Sequence, residues 1–417
     1  MGSARKLKAC YACTSGKRRC DKAQPTCGRC EDRDIDCHYP PTKRRRGNTF
    51  EDGCSNAPCQ SSTNDGTLDS TTITFSNEAE DLIDLNHTTA LSSPANSLGF
   101  FFAPESWTIR HLSLNAPTFS SSVCMNYIRG IQTWFTDWVV HCHSPFIHRQ
   151  LYADTGFPNS IQDAFTAISV HNTKTPANEA AIDEILEARV ASLLKSYQDS
   201  YPSSSQGIGV SRALETREHL ARTQSLLVYL VLGLFSPSIR ARANAEKRVQ
   251  TLLHWTRQLW DAAPRDPDIC QSPEGDLTAL TSASAADEFF DGDPLPRLWR
   301  SWVLSESIRR TWLLATSMIG VYLTIRQAWA ECQGGIQFTA SANIWDAESA
   351  SSWAKECRNA DPLFICSLDG ESLFRSAKAV EVDEMARNLF TIMWGAERVE
   401  AWVSRTASDK DGVRLTY

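Results

Sequence analysis

Long apolar segments are missing from this chain of 417 residues. The longest candidate for a membrane segment is residues 311–325, which lies between Arg310 and Arg326 and contains several hydroxyl side chains. A helix that spans a bilayer needs ~20 mostly apolar residues, so we expect this stretch to form a buried helix instead. The first ten residues have no apolar core of the kind found in secretory signals. The sequence therefore predicts no membrane partner and no export.

Motifs of common catalytic sites are also missing. The sequence has no G-x-S-x-G, no Walker A loop and no H-E-x-x-H. The acidic run 287–291 resembles the aspartate-rich magnesium motif of all-α isoprenoid synthases, but the second motif of such sites is absent, and neighbouring Pro and Gly residues favour a loop. The group at positions 141–143 and His148 could ligate a metal, yet three consecutive helical side chains diverge, which favours a helix end. We predict that the protein is not an enzyme.

Charge is distributed unevenly along the chain. Residues 1–46 hold 13 Lys and Arg against 5 Asp and Glu, whereas the remaining residues hold 29 against 44. A basic segment joined to an acidic body is typical of a protein that binds a polyanion through that segment. The acidic body is expected to stay away from the polyanion.

The basic segment contains six cysteines in two copies of C-x2-C-x6-C, repeated with a period of 17: Cys10, Cys13, Cys20, Cys27, Cys30 and Cys37. This symmetry indicates paired metal sites. A structural zinc ion takes four ligands in a tetrahedron, so three thiolates per copy leave each ion one ligand short. The shortage disappears if Cys10 and Cys27 each bridge both ions. The alternative is a disulfide framework, which needs an oxidising compartment that nothing in the sequence indicates.

These cysteine spacings resemble the fungal Zn₂Cys₆ binuclear cluster, a DNA-binding module of transcription regulators. Further matching features are the basic run at positions 17–19 and Pro25, two residues ahead of the fourth cysteine. The resemblance implies two Zn²⁺ per chain. One ion would be held by Cys10, Cys13, Cys20 and Cys27, and the other by Cys10, Cys27, Cys30 and Cys37.

The same resemblance implies contacts with double-stranded DNA. Lys17 falls on the position that reads the guanines of a CGG-type half-site, and further DNA-contacting positions are Lys8, Arg18, Arg19 and Lys22. Relatives often carry basic residues where this sequence has Thr14 and Gly16. After the cluster, a short basic run predicts a nuclear-import signal and a nuclear location: Lys43, Arg44, Arg45 and Arg46.

Composition divides the chain into three parts. Residues 1–46 are predicted to be the Zn₂Cys₆ DNA-binding domain with its basic extension, 47–105 a disordered linker rich in Ser, Thr and Asn, and 106–417 an all-α regulatory domain. The linker shows no heptad repeat that would form a dimerising coiled coil. Other partners would be the transcription machinery or a second copy of the chain, contacted through the helical domain.

Helical periodicity marks four segments of the third part. Apolar residues recur every three or four positions over 123–138 and 182–197, and the run 226–235 is apolar on all sides. A further helix is predicted after Pro296, with Glu306 and Arg310 spaced for an ion pair. The domain resembles the regulatory domain of fungal regulators, which often control secondary-metabolite genes. The alternative function is a helical ligand-binding protein or enzyme that carries the zinc cluster as an accessory module.

Overall fold

The structure, a computed structural model, describes residues 9–15, 18–23, 26–33, 37–38, 99–111, 120–198, 214–270, 295–408 and 413. They fall into two compact units, one within residues 1–80 and the other within residues 81–417. The first unit contains the cysteine cluster and two short helices, α1 (Tyr11–Ser15) and α2 (Gly28–Glu31).

The second unit is built from helices and one small sheet. In chain order its α-helices are α3 (Ser121–His141), α4 (Asn159–His171), α5 (Glu179–Gln198), α6 (Thr216–Leu234), α7 (Ile239–Glu246), α8 (Val249–Ala262), α9 (Pro267–Cys270), α10 (Leu295–Gln327), α11 (Ala342–Trp345), α12 (Ala350–Asn359), α13 (Leu373–Ser376), α14 (Glu384–Trp394) and α15 (Ala396–Thr406). Short 3₁₀ helices cover Pro104–Trp107, Ala263–Arg265 and Ser367–Ser372. The strands β1 (Gln337–Thr339) and β2 (Phe364–Cys366) pair antiparallel, with Phe338 opposite Ile365.

The predicted helices are present, and the mostly helical fold is confirmed. The repeat over 123–138 lies in α3, where Ser120 accepts a hydrogen bond from the Val123 amide and caps the first turn. The repeat over 182–197 lies in α5. The apolar run 226–235 occupies the second half of α6, which ends just ahead of the Ser236-Pro237 stop. The antiparallel pair β1–β2 is an addition that the sequence did not indicate.

Helix α10 is the centre of the second unit. It contains both the segment predicted after Pro296 and the uncharged stretch 311–325 in one continuous helix of 33 residues. Its side chains are buried on nearly all sides between Leu298 and Tyr322. An all-round buried helix belongs to the core of a large domain. Among the described residues, no helix is both long and apolar enough to cross a membrane.

The predicted pair of Glu306 and Arg310 forms inside this core, with both side chains fully buried. Arg310 Nε lies 3.0 Å from Glu306 Oε1, and Arg310 Nη2 also binds Asp383, the residue that caps α14. Arg310 donates further hydrogen bonds to the carbonyls of Pro145 and Thr339, at 2.7 and 2.9 Å. One guanidinium therefore joins α10 to three distant segments of the chain.

Arg309 is equally buried but has no carboxylate within 4 Å among the described residues. It donates hydrogen bonds to the carbonyls of Phe101, Ser106 and Gln337, at 2.9–3.2 Å. Its guanidinium carbon lies 4.0 Å from the Trp107 ring centroid, within cation–π range. Phe101 is therefore part of this core, although it falls within the predicted linker range 47–105. The acidic run 287–291 lies outside the described residues.

We expect Arg310→Met to destabilise the second unit by about 3–5 kcal/mol, because it leaves two buried carboxylates without their cation. Urea unfolding of the full chain, followed by helical circular dichroism, measures the change. The matched control is Arg300→Met on the same helix, where a pair with Asp154 is more than half exposed and should contribute less than about 1 kcal/mol. Equal effects of the two substitutions would contradict the prediction.

Candidate metal centre and nucleic-acid interface

The structure brings the six N-terminal cysteines into one cluster. Within the set Cys10, Cys13, Cys20 and Cys27, and within the set Cys10, Cys27, Cys30 and Cys37, all sulfur atoms lie within 4.8 Å of one another. Cys10 and Cys27 belong to both sets, as bridging thiolates must. None of the six forms a disulfide.

The sulfur separations match a zinc tetrahedron. Cys10 Sγ lies 3.7 Å from Cys27 Sγ, 3.8 Å from Cys30 Sγ and 3.9 Å from Cys20 Sγ. Four thiolates at ~2.3 Å from a central zinc would be separated by ~3.8 Å. A disulfide bond would instead bring two sulfurs to ~2.05 Å. The residues present fit two zinc ions, and the disulfide alternative is wrong.

The two halves of the cluster repeat the same backbone structure. Each begins with a cysteine that belongs to both ligand sets and leads into a short helix, α1 in the first half and α2 in the second. The Thr14 amide donates to the Cys10 carbonyl and the Glu31 amide to the Cys27 carbonyl, both at 3.0 Å. These positions differ by 17 residues, so the sequence period is a structural repeat.

A hydrogen bond to Asp21 connects the two halves, and the sequence did not predict it. The Oδ2 atom of Asp21 accepts this hydrogen bond from the Gly28 amide at 3.0 Å, at the start of α2. Cys27 precedes that helix without a side-chain cap, so Asp21 supplies the cap from seven residues upstream. Only local caps can be inferred from sequence spacing, which is why this contact was not predicted.

The sulfur atoms lie close enough for hydrogen bonds between the thiols, in which either atom of a pair can donate. The hydrogen bond with Cys27, together with burial, raises the pKa of Cys30 to about 12. Burial also raises the pKa of Cys13. Zinc binds the thiolate form and would take the place of these protons, which links metal binding to the folding of the unit.

Charged side chains divide between the halves. Arg18 and Arg19, which follow the first helix, are exposed, and so is Lys22, whose φ of 66° is left-handed. In the second half the exposed residues after Cys30 include Glu31 and Asp32. Among the described residues, the first half thus has three exposed cations beside one exposed anion, whereas the second half has two exposed anions and one exposed cation, Arg33. Lys8, Lys17 and the run Lys43–Arg46 lie outside the described residues.

The histidine group at 141–148 is a helix end, as predicted. Helix α3 ends at His141, and Cys142 follows in the left-handed conformation with φ 53°. His143 Nε2 lies 3.1 Å from Asp346 Oδ1, and its Nδ1 accepts from the Arg149 amide. His148 is 1% exposed, and its Nδ1 accepts from the Gln150 amide. These contacts use three of the four ring nitrogens of His143 and His148 for local structure.

Comparison with known proteins agrees with this geometry. Residues 8–46 match the family described as the fungal Zn(2)-Cys(6) binuclear cluster domain. The chain is also similar to transcription factor gsfR2 of Penicillium aethiopicum, with 24% identity over 98% of each chain. No solved structure matches. The family match confirms the resemblance and the predicted two Zn²⁺ per chain.

We expect the full-length protein to contain two zinc ions per chain. Because Cys10 and Cys27 lie in both ligand sets, Cys27→Ser should lose both ions, whereas Cys37→Ser should retain at least part of the first site. Native mass spectrometry with elemental analysis counts the ions. Cys332→Ser, an exposed cysteine outside the cluster, is the matched control and should keep two. A wild-type protein with one ion would disprove the shared-thiolate arrangement.

We also expect His148 to weaken the fold in acid. Burial, and then the charges of His143, Arg149 and Arg310, lower the pKa of His148 to about 3, whereas an unfolded histidine has a pKa near 6.5. The unfolded chain therefore binds a proton that the folded chain does not, and stability falls as the pH drops from about 6.5 towards 3. One such proton gives a slope of about 1.4 kcal/mol per pH unit. Urea titrations at several pH values between 6 and 4 measure how the free energy of unfolding changes with pH. This slope should be smaller by about 1.4 kcal/mol per pH unit in His148→Gln than in the wild type. Equal slopes would show that His148 does not cause the loss of stability.

Proposed function

We propose, from the premise that residues 8–46 form a fungal Zn₂Cys₆ domain, that this protein is a sequence-specific DNA-binding regulator of RNA polymerase II transcription. The observation that carries the proposal is the six-cysteine cluster with two shared sulfurs. The similar Penicillium aethiopicum protein is named a transcription factor, which supports the same function. Zinc would supply the folding energy of a unit that is too small to form a core of its own.

The proposed ligand sets follow the two groups of close sulfurs. One zinc would be bound by Cys10, Cys13, Cys20 and Cys27, and the other by Cys10, Cys27, Cys30 and Cys37. Zinc bound to these cysteines would fix the backbone between them. The exposed cations of the first half would then be held at fixed positions. Fixed cations can follow the spacing of phosphates along a duplex.

The first half of the cluster is the proposed DNA-reading half. Zn₂Cys₆ modules place a helix in the major groove, and α1 is the short helix of the basic half. Lys17, just beyond α1, would donate to the O6 and N7 acceptors of guanines in a CGG-type half-site. The phosphate contacts would be made by Lys8, Arg18, Arg19 and Lys22. Of these, Arg18, Arg19 and Lys22 are exposed in the structure.

The resemblance to fungal Zn₂Cys₆ regulators also suggests roles for the remaining parts of the chain. The linker, predicted as 47–105, would end before Phe101, which packs in the helical core, and the helical unit would be a regulatory domain. The run Lys43–Arg46 would direct the protein to the nucleus. We further propose that the regulated genes form a biosynthetic cluster for a secondary metabolite. Mapping of bound sites across the genome tests this role. Sites spread over unrelated housekeeping genes would contradict it.

The helical unit is the proposed contact for the transcription machinery or a second copy of the chain, since the sequence after the cluster has no heptad repeat. Sedimentation of the full chain and of residues 1–105 at micromolar concentration separates the possibilities. A dimer of the full chain with a monomeric fragment supports contact through the helical unit. A stable dimer of the fragment would disprove it.

We expect Lys17→Ala to lower the affinity for CGG duplexes by about 1–3 kcal/mol and to reduce the discrimination against scrambled duplexes. Lys22→Ala should weaken binding to both duplexes alike and lower the salt slope by about one, because it removes a phosphate contact. Binding titrations at several salt concentrations measure both effects. Arg33→Ala, an exposed cation on the acidic half, is the matched control and should change neither. If Lys17→Ala lowers both affinities equally, Lys17 is a phosphate contact and does not read bases.

A further inference from the structure

A cavity of about 660 Å³ lies between α4, α5 and α6 in the helical unit. Three tyrosines line it, Tyr152, Tyr197 and Tyr229, together with Ser192 and Arg217. This volume is in the range of small-molecule sites, which combine aromatic walls with a few polar groups. The aromatic rings favour a flat, apolar ligand body.

Tyr229, which lines this cavity, has a hydroxyl group without a hydrogen-bond partner in the described part of the chain. Tyr229 is 5% exposed, and its buried hydroxyl oxygen has no hydrogen bond to the described residues. A buried polar group without a partner costs about 1–3 kcal/mol. The neighbouring Tyr152, in contrast, donates its hydroxyl proton to Gln224 Oε1 at 2.6 Å. A polar group on a ligand would satisfy Tyr229 in the same way.

The charges around the cavity leave one cation available. Two carboxylates line the cavity. Asp163 is paired with Arg189 at 2.7 Å, and Glu218 accepts a hydrogen bond from the Glu215 amide at 3.0 Å. Arg217 has no carboxylate within 4 Å in the part of the chain that the structure describes, and its one hydrogen bond there is a long contact of 3.5 Å to the Leu151 carbonyl. A guanidinium in this state can bind a carboxylate through two parallel hydrogen bonds.

The start of α4 adds to the attraction for an anion. Pro158 precedes this helix of 13 residues and offers no side-chain oxygen to its first turn. Pro158 and Asn159 both line the cavity. The amides of an uncapped helix start and the positive end of the helix dipole favour a bound carboxylate.

We propose that this cavity binds a small aromatic carboxylate that carries a second polar oxygen, with the carboxylate on Arg217 and the second oxygen on Tyr229. The rings of Tyr152 and Tyr197 pack against the aromatic body. The site lies within the helical unit and does not depend on the proposed DNA binding. Its test contains no DNA, so a failure here leaves the proposed function unaffected.

Isothermal titration of the full-length protein with 6-hydroxy-2-naphthoate tests the proposal. We expect saturable binding at one site, about tenfold weaker or more for 2-naphthol, which has no carboxylate, and for Arg217→Gln. In the wild type, 2-naphthoate should bind more weakly than 6-hydroxy-2-naphthoate, and Tyr229→Phe should remove this difference. Ser192→Trp, at an exposed position of the cavity wall, should block binding.

Arg257→Gln, an exposed arginine on α8 outside the cavity, is the matched control and should bind like the wild type. Circular dichroism and the thermal midpoint check that each variant folds. If Arg217→Gln does not fold, the proposal is tested by two other measurements. These are the affinities of the wild type for the three naphthalene compounds and the loss of binding in Ser192→Trp. No saturable binding to the wild type up to about 1 mM overturns the proposal. Binding that neither Arg217→Gln nor Ser192→Trp changes overturns it as well.

Discussion

The burial of two neighbouring guanidinium groups on α10 determines how the helical unit is assembled. A buried cation must be surrounded by acceptors, because its desolvation costs several kcal/mol otherwise. Arg309 finds carbonyl oxygens in Phe101, Ser106 and Gln337, and Arg310 finds the carboxylates of Glu306 and Asp383. The Thr339 amide donates to both carboxylate oxygens of Glu306 at 3.1 Å. The segments that contain these partners, which are far apart in the sequence, are thus held against one turn of α10.

In the first unit the buried charged groups would be anions, because zinc binds cysteines as thiolates. Six thiolates around two zinc ions would carry a net charge of −2, and the exposed cations of the described residues near this cluster include Arg18 and Arg19. With two thiolates shared between the metals, a unit of this size would need no apolar core of its own. In the helical unit, the buried charges and their partners act together with a large apolar core.

Sequence patterns predicted the features that local spacing encodes. The period of 17 identified the paired metal sites, and the three-to-four-residue repeats identified α3 and α5. The spacing of Glu306 and Arg310 predicted their pair, but Asp383 lies 73 residues further along and carries no signal that connects it. The burial of Arg309 could not be predicted, because its acceptors are backbone carbonyls, which every residue has. Strands of three residues, such as β1, are too short to show an alternating pattern.

The repeat inside the cysteine cluster bears on the proposal that only one of its halves reads DNA. The backbones of the two halves are equivalent at corresponding positions, with Thr14 bonded to Cys10 as Glu31 is to Cys27. Backbone geometry alone would let either short helix approach a duplex. Arg18 and Arg19, which follow α1, are exposed cations, whereas Glu31 and Asp32 at the end of α2 are exposed anions beside one exposed cation, Arg33. If the first half reads DNA as proposed, phosphates would attract Arg18 and Arg19 more than the mixed charges of the second half, and electrostatics would assign different tasks to two copies of one metal-binding scaffold.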